Sequence, residues 1–220
     1  MSEIEDRLGT EARKFSEENP VALRYARVST MVRTARPEAP TEHCPEAQLW
    51  TAPNGFATEH EASEFVYAFV RLTKPRHALE VGTYLGHTTL QIARALMDNG
   101  RGRLVAFEQD PQAANNARRS IAMFDRAAPV DIFPLSVQSF TNPDNLRFDF
   151  AFIDGGNSGE CRQDEFETVR PWLAKGAHAI FHDARYYPDL ENRLKWLVRR
   201  SKLRSFMIFE CPRGLALCQT

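Results

Sequence analysis

Residues 77–93 constrain the fold of this chain more than any other stretch: His77-Ala78-Leu79-Glu80-Val81-Gly82-Thr83-Tyr84-Leu85-Gly86-His87-Thr88-Thr89-Leu90-Gln91-Ile92-Ala93. A short apolar run carries an acid, two glycines bracket three residues, and an amphipathic segment follows with Leu90, Ala93 and Leu96 at helical spacing. That order reads as strand, tight turn, helix. It sets backbone N–H groups and the positive end of a helix dipole at the carboxyl edge of a sheet, where anionic groups bind. The turn is Gly-x-x-x-Gly, so it lacks the middle glycine that lets a pyrophosphate lie on the backbone. A smaller anion such as an amino-acid carboxylate still fits, and Thr88 and Thr89 add hydroxyl donors at the helix start.

Around this unit, strand-like and helix-like segments alternate. Thr58 and Glu61 have the spacing of a capping box ahead of an apolar stripe of Phe65, Val66, Phe69 and Val70. Arg103 to Phe107 reads as a second strand closing on Glu108, and Asp110-Pro111 as the start of the next helix. Val130 to Phe133, Phe148 to Asp154 and Ala177 to Phe181 read as further strands. Helices are expected over Glu160 to Leu173 and from Pro188, the latter with Leu190, Leu194, Leu197 and Val198 on one side. Ser205 to Phe209 and Leu215 to Cys218, separated by Pro212-Arg213-Gly214, read as an antiparallel hairpin. The expected fold is α/β: a Rossmann-like, doubly wound, mainly parallel seven-stranded sheet with an antiparallel C-terminal hairpin. Residues 1–220 read as one domain, with N-terminal helices and a lid-like or connecting proline-rich loop over 1–55, and a core over 56–220.

Composition narrows the function. A chain of 220 residues with 43% hydrophobic content can bury one large core, and a net charge of −1 argues against nucleic acid as the main partner. Cys44, Cys161, Cys211 and Cys218 form no Cys-x-x-Cys pair and are too sparse for a disulfide scaffold, which suggests a reducing, cytoplasmic setting. No apolar window approaches a membrane span.

In a doubly wound sheet, ligands sit beyond the carboxyl ends of the strands. Acidic or polar residues end four of the five expected parallel strands there: Glu80, Glu108, Asp154 and the pair His182-Asp183. Glu108 follows Gly86 by 22 residues, where a carboxylate can accept hydrogen bonds from both hydroxyls of a ribose.

The segment Leu-Glu-Val-Gly-Thr-Tyr-Leu-Gly-His-Thr-Thr resembles the first motif of class I S-adenosylmethionine-dependent methyltransferases. More narrowly, it resembles the small O-methyltransferases that include the caffeoyl-CoA type and a related group acting on antibiotics and sugars. The resemblance runs from about Asn54 to Thr220. It implies that Glu80 and the turn through Gly82, Tyr84, Gly86, Thr88 and Thr89 hold the methionine part of S-adenosylmethionine. Glu108 would then hold the ribose, Ser136 would contact the adenine, and Asp154 would border the site. The segment Ile153-Asp154-Gly155-Gly156-Asn157-Ser158 is similar to the group's Ile-Asp-Gly-x-His-Ser, with Asn157 where histidine is common.

In metal-dependent members of the group, an acid at the Asp154 position joins an acid and an amide that here fall on His182 and Asp183. Those three would favour Mg²⁺ or Mn²⁺, although an imidazole also admits Fe²⁺ or Zn²⁺. Without a metal, His182 is the first candidate for general base, with His60 and His87 behind it. Asp154, His182 and Asp183 are thus the expected catalytic and metal residues. His178, on the same strand, lies about 13 Å from His182 and reads as structural. Arg185-Tyr186-Tyr187 is expected on the acceptor side, and the resemblance suggests a homodimer through the N-terminal helices. The function expected is O-methylation of a natural product, sugar or phenolic. A nicotinamide-dependent oxidoreductase and a non-catalytic binding subunit on the same fold are the alternatives.

Overall fold

Five largely apolar segments, four of them running toward a polar residue, build the parallel part of the sheet, because strands buried on both faces are filled almost wholly by apolar side chains. The computed structural model describes residues 36–39, 41–123, 130–142 and 145–220. The described residues lie in one compact unit, Ala35–Thr220. The helices expected between Ser2 and Arg33 lie outside the described residues.

The strands are β1 (His77–Val81), β2 (Arg103–Phe107), β3 (Val130–Phe133), β4 (Phe148–Ile153), β5 (Leu173–His182), β6 (Ser205–Phe209) and β7 (Leu215–Gln219). Their order across the sheet is β3-β2-β1-β4-β5-β7-β6. The first five run parallel, and β7 inserts antiparallel between β5 and β6. The strand order reverses between β1 and β4, so a crevice opens at their carboxyl ends. The helices are α1 (His60–Thr73), α2 (His87–Asp98), α3 (Pro111–Ala122), α4 (Gly159–Val169) and α5 (Leu190–Arg199).

Strand alternation divides the core in two. Leu79 and Val81 of β1 pack on one face with Phe166 and Val169 of α4 and Leu190, Leu194 and Leu197 of α5. Ala78 faces the other way, onto Val66 and Val70 of α1, Ile92 and Leu96 of α2, and Ala114, Ala117 and Ile121 of α3. Phe107, Phe148, Phe150, Phe152 and Phe181 are fully buried between these layers. At about 25 cal/mol per Å² of apolar surface, such burial is the main drive for the three-layer arrangement.

The expected hairpin, the parallel sheet and the Asp110-Pro111 helix start are all present, with the Asp110 side chain accepting from the Gln112 backbone N–H. Several boundaries differ from expectation. The N-cap of α1 is Glu59 rather than Thr58, because the Thr58 hydroxyl is drawn to Asp154 (3.2 Å) and Glu61 turns back to the Thr51 backbone. α4 stops at Val169, four residues short of Leu173, since Pro171 follows and shapes a 3₁₀ turn over Arg170–Trp172. β5 begins at Leu173 instead of Ala177, pairing with Phe148 across a register shift. α5 begins at Leu190, two residues after Pro188.

Gly82 closes the crevice floor. Its φ is 87°, and a Cβ there would lie 2.3 Å from the Asp154 carbonyl oxygen. Backbone bonds from Gly82 N–H to Phe107 C=O (2.9 Å) and from Asp154 N–H to Val81 C=O (2.7 Å) knit the ends of β1, β2 and β4 together at this point. Gly82→Ala is expected to destabilise the protein by at least about 2 kcal/mol, through steric overlap added to backbone strain. Chemical denaturation measures this, and a change within error would show that the two loops can separate without loss.

Candidate active site

A cavity of about 510 Å³ opens over the carboxyl ends of β1, β4 and β5, and a second of about 260 Å³ lies over β2 and the turn after β3. Gly82, Glu108, Gly155, Gly156 and Asn157 line both, which makes them the shared wall of one crevice.

In the smaller cavity, the Glu108 carboxylate is held from behind. The Tyr84 N–H donates to its Oε2 (2.7 Å) and the Asp110 N–H to its Oε1 (2.9 Å). Tyr84 adopts φ 48°, a strained conformation for an aromatic residue, and its bond to Glu108 stabilises that turn. Ser136 lines the same cavity at the entrance to a 3₁₀ turn, Val137–Ser139, with its Oγ 3.0 Å from that of Ser139. Glu165, from α4, also borders this cavity. Burial pushes its carboxyl up to about 7, against the pull of Arg162 and the backbone N–H groups of Gly155 and Gly156.

Gly82, Tyr84, His87, Thr88 and Asp154 line the larger cavity, together with Gly55 to Thr58, Tyr186, Tyr187 and Arg213. Glu80, Gly86 and Thr89 lie outside both linings. Gly86 instead serves as the N-cap of α2 at φ 85°. Glu80 is fully buried beneath the turn, and neither of its oxygens has a hydrogen-bond partner. Burial, with the charges of Asp154 and Glu108 adding to it, raises its carboxyl to about 8. His87 Nε2 lies 3.0 Å from the Ser63 hydroxyl. Burial and neighbouring His60 depress its imidazole to about 3, which keeps it neutral. His178 packs edge-on against Phe69 at 5.1 Å, away from this crevice. The Arg185 guanidinium is taken up by Glu191 and Glu210, so of Arg185-Tyr186-Tyr187 only the tyrosines line the cavity.

At the ends of β4 and β5 the structure gathers six ionisable groups. His182 Nε2 lies 2.7 Å from Glu59 Oε2, and its Nδ1 lies 3.3 Å from both Asp154 Oδ1 and Asp183 Oδ1. Arg162 Nη2 bridges Asp154 Oδ1 and Asp183 Oδ2 at 2.7 Å each. The Arg213 Nε is 3.5 Å from both Glu59 and Asp183, while its other nitrogens reach the Phe56 and Ala57 carbonyls. Burial alone would neutralise these groups, yet their mutual charges prevail. Three carboxylates overcome desolvation at His182 and raise its imidazole to about 10. In return, despite burial, Glu59 is lowered to about 2 by His182 and Arg213. Asp154 likewise overcomes burial and is held below the usual carboxylate range by His182 and Arg162.

Asp154, His182 and Asp183 thus converge as expected, with ligand atoms within 4.8 Å of one another. Sequence reasoning missed Glu59, Arg162 and Arg213. A signal existed for two of them. Arg162 lies on the stripe it shares with Phe166 and Val169, and Glu59 on that of Ala62, Val66 and Val70, so each is a charge at a core-facing position. Arg213 had none, because its place depends on how the β6–β7 connection folds.

Residues 79–184 match the family described as a methyltransferase domain. A catechol O-methyltransferase of Niastella koreensis is 34% identical over 102 residues, which are 41% of this chain and 42% of that protein. The O-methyltransferase imqG of Aspergillus flavus is 35% identical over 100 residues, 42% of this chain and 39% of that protein. The chain therefore spans about two fifths of the length of these curated relatives. Among solved structures, the O-methyltransferase TomG of Streptomyces achromogenes, involved in tomaymycin synthesis and in complex with SAM, aligns with a TM-score of 0.64 at 21% identity. That alignment covers 100% of this chain and 99% of TomG. The O-methyltransferase of Bacillus cereus in complex with SAH gives 0.62 at 20% identity, over 75% and 83% of the two chains. Both share the sheet described above.

The charge cluster makes a prediction about pH. The His182 contribution is complete below its unfolded value of 6.5 and is lost as pH rises through 10. Glu80, protonated in the fold up to about 8 but ionised above 4.5 when unfolded, adds a penalty that grows from pH 4.5 to 8. Glu59 stabilises above 4.5 and loses its effect as pH falls toward 2. Urea midpoints should therefore peak near pH 4.5, decline gently to pH 6.5 and more steeply above it toward pH 10, with Glu80→Gln flattening the part below pH 6.5. A flat profile from pH 6.5 to 10 would contradict the buried imidazolium.

Proposed function

We propose that this chain, through its methyltransferase domain at residues 79–184, transfers a methyl group from S-adenosylmethionine to a hydroxyl of a small molecule. The single observation that carries this reading is Glu108, a carboxylate at the end of β2 whose two oxygens are aimed by the Tyr84 and Asp110 N–H groups. Its remaining lone pairs suit the paired hydroxyls of a ribose. The O-methyltransferase relatives, and the fold shared with proteins holding SAM or SAH, support the cofactor.

The adenine would occupy the cavity beside Ser136, and the methionine part would lie over Gly82, Tyr84 and Thr88, its carboxylate facing the positive end of α2. The sulfonium would then lie on the Asp154 side of the cavity, and the acceptor would enter past Tyr186 and Tyr187. In the reaction the acceptor oxygen attacks the methyl carbon in line as the carbon–sulfur bond breaks, leaving S-adenosylhomocysteine. The hydroxyl proton passes to the Asp154 carboxylate and on to solvent. Asp154 suits this role because it lines the cavity and is ionised, with the Thr58 hydroxyl (3.2 Å) fixing its second oxygen. His182, protonated and enclosed by three carboxylates, is assigned to holding Asp154 and Asp183 in place rather than to removing the proton.

A small-molecule acceptor and a cytoplasmic setting belong to the same reading, supported by the cavity size, the near-neutral net charge and four unpaired cysteines. No helix among the described residues is long and apolar enough to cross a membrane. The homodimer suggested for the N-terminal helices concerns residues outside those described.

Calorimetric titration with S-adenosylhomocysteine tests the cofactor assignment. Micromolar binding is expected, weakened roughly 10- to 100-fold in Glu108→Ala, in line with the loss of charged hydrogen bonds worth about 1.5–3 kcal/mol. Absence of binding by the wild-type chain would remove the methyltransferase reading. Once an acceptor is in hand, Asp154→Asn should lower kcat at least about 100-fold while leaving S-adenosylhomocysteine affinity nearly unchanged.

A further inference from the structure

We infer that the Arg162 guanidinium occupies the place a divalent ion would need between Asp154 and Asp183, so that the site is held together by an internal cation and takes up no metal. The inference rests on the crevice being the proposed methyl-transfer site, but its geometry stands independently of the acceptor.

A divalent ion with oxygen preference needs carboxylate oxygens at about 2.0–2.2 Å on open lone pairs. Arg162 Nη2 sits between Asp154 Oδ1 and Asp183 Oδ2, 2.7 Å from each, and so occupies the lone pairs an ion would use. His182 adds a third nearby group. Its Nε2 faces Glu59 at 2.7 Å and its Nδ1 faces both aspartates at 3.3 Å, so an ion entering here would have to displace Arg162 from the two carboxylates.

The charges agree with the geometry. The Arg162 guanidinium pairs with Asp154 and Asp183, and the Arg213 guanidinium lies beside Glu59 and Asp183, so each of the three carboxylates already has a permanent cation next to it. The side chains are 0–7% exposed, apart from Asp154 at 17%. An ion of charge two entering this buried cluster would meet two guanidinium groups of like sign, in a medium that penalises uncompensated charge.

The way Arg162 is used points in the same direction. Only Nη2 makes hydrogen bonds, while the buried Nε and Nη1 have no partner in the structure. The fork of the guanidinium is thus not what the site exploits. Its charge is, delivered at one point between two carboxylates, with the Tyr187 ring stacked 5.7 Å from its centre. The backbone provides the means: Ser158 caps α4, its hydroxyl accepting from the Cys161 N–H, and that fixes the first turn so that residue 162 faces the strand ends.

Titration of chelator-treated full-length protein with Mn²⁺, followed by the electron paramagnetic resonance signal of the free ion, tests the inference. Wild type should leave the free signal unchanged, and S-adenosylhomocysteine affinity should be the same in EDTA and in Mg²⁺. Arg162→Leu uncovers both carboxylates and should gain Mn²⁺ affinity at least about tenfold. Arg162→Lys restores the charge and should bind no more than wild type. Stoichiometric Mn²⁺ uptake by wild type overturns the inference, as does a folded Arg162→Leu protein, judged by near-ultraviolet circular dichroism, that gains nothing. Should the leucine variant fail to fold, the wild-type and lysine titrations decide alone. Failure of S-adenosylhomocysteine to bind would count against the proposed function and leave the Mn²⁺ outcome standing.

Discussion

The cluster of Glu59, Asp154, Arg162, His182, Asp183 and Arg213 is the interaction on which the geometry of the crevice depends. It joins the residue before α1, the ends of β4 and β5, the first turn of α4 and the connection between β6 and β7. These segments are far apart in sequence; Glu59 and Arg213 are separated by 154 residues. Desolvating six charges is unfavourable, and their mutual attraction offsets that only because each charge meets one or more of opposite sign at short range. Loss of any one member leaves an uncompensated buried charge, so the cluster acts as a single unit.

That unit explains why the boundaries of α1 and the C-terminal hairpin matter to a site formed mainly by β1, β2 and β4. Glu59 takes the N-cap position of α1 but does not cap it with its side chain, because its carboxylate is committed to His182 and Arg213. Thr58, which has the right chemistry for the cap, reaches Asp154 instead. Local helix capping, worth about 1 kcal/mol, gives way to buried charge pairing. The antiparallel strand β7 also gains a role beyond completing the sheet: it brings the Arg213 loop over the end of β5, where the Arg213 carbonyl accepts from the Arg185 and Tyr186 N–H groups.

The crevice has two chemically distinct halves. Around Glu108 and Ser136 it is shaped by backbone donors and a short turn, as suits a ligand of fixed shape. Around Asp154 and the tyrosines it is bordered by the charge cluster, an environment suited to neutralising a sulfonium and receiving a proton. Glu80 lies beneath both halves, and its burial shapes the stability profile between about pH 4.5 and 8 rather than a cavity wall.

The sequence by itself determined the alternation of strands and helices, the C-terminal hairpin, the placement of Glu108 and the convergence of Asp154, His182 and Asp183. Those features rest on local periodicity, turn chemistry and the rule that parallel strands present their carboxyl ends on one edge. Only the tertiary structure decided what surrounds the convergent trio. Arg162 and Glu59 lie on helix faces whose direction is fixed by packing, and Arg213 on a loop placed by the pairing of β5 with β7. The same three residues suit a metal site as well as the ion-paired cluster seen here. The difference lies in which cations the fold brings from distant segments, and charge pairing through space leaves no period in the chain.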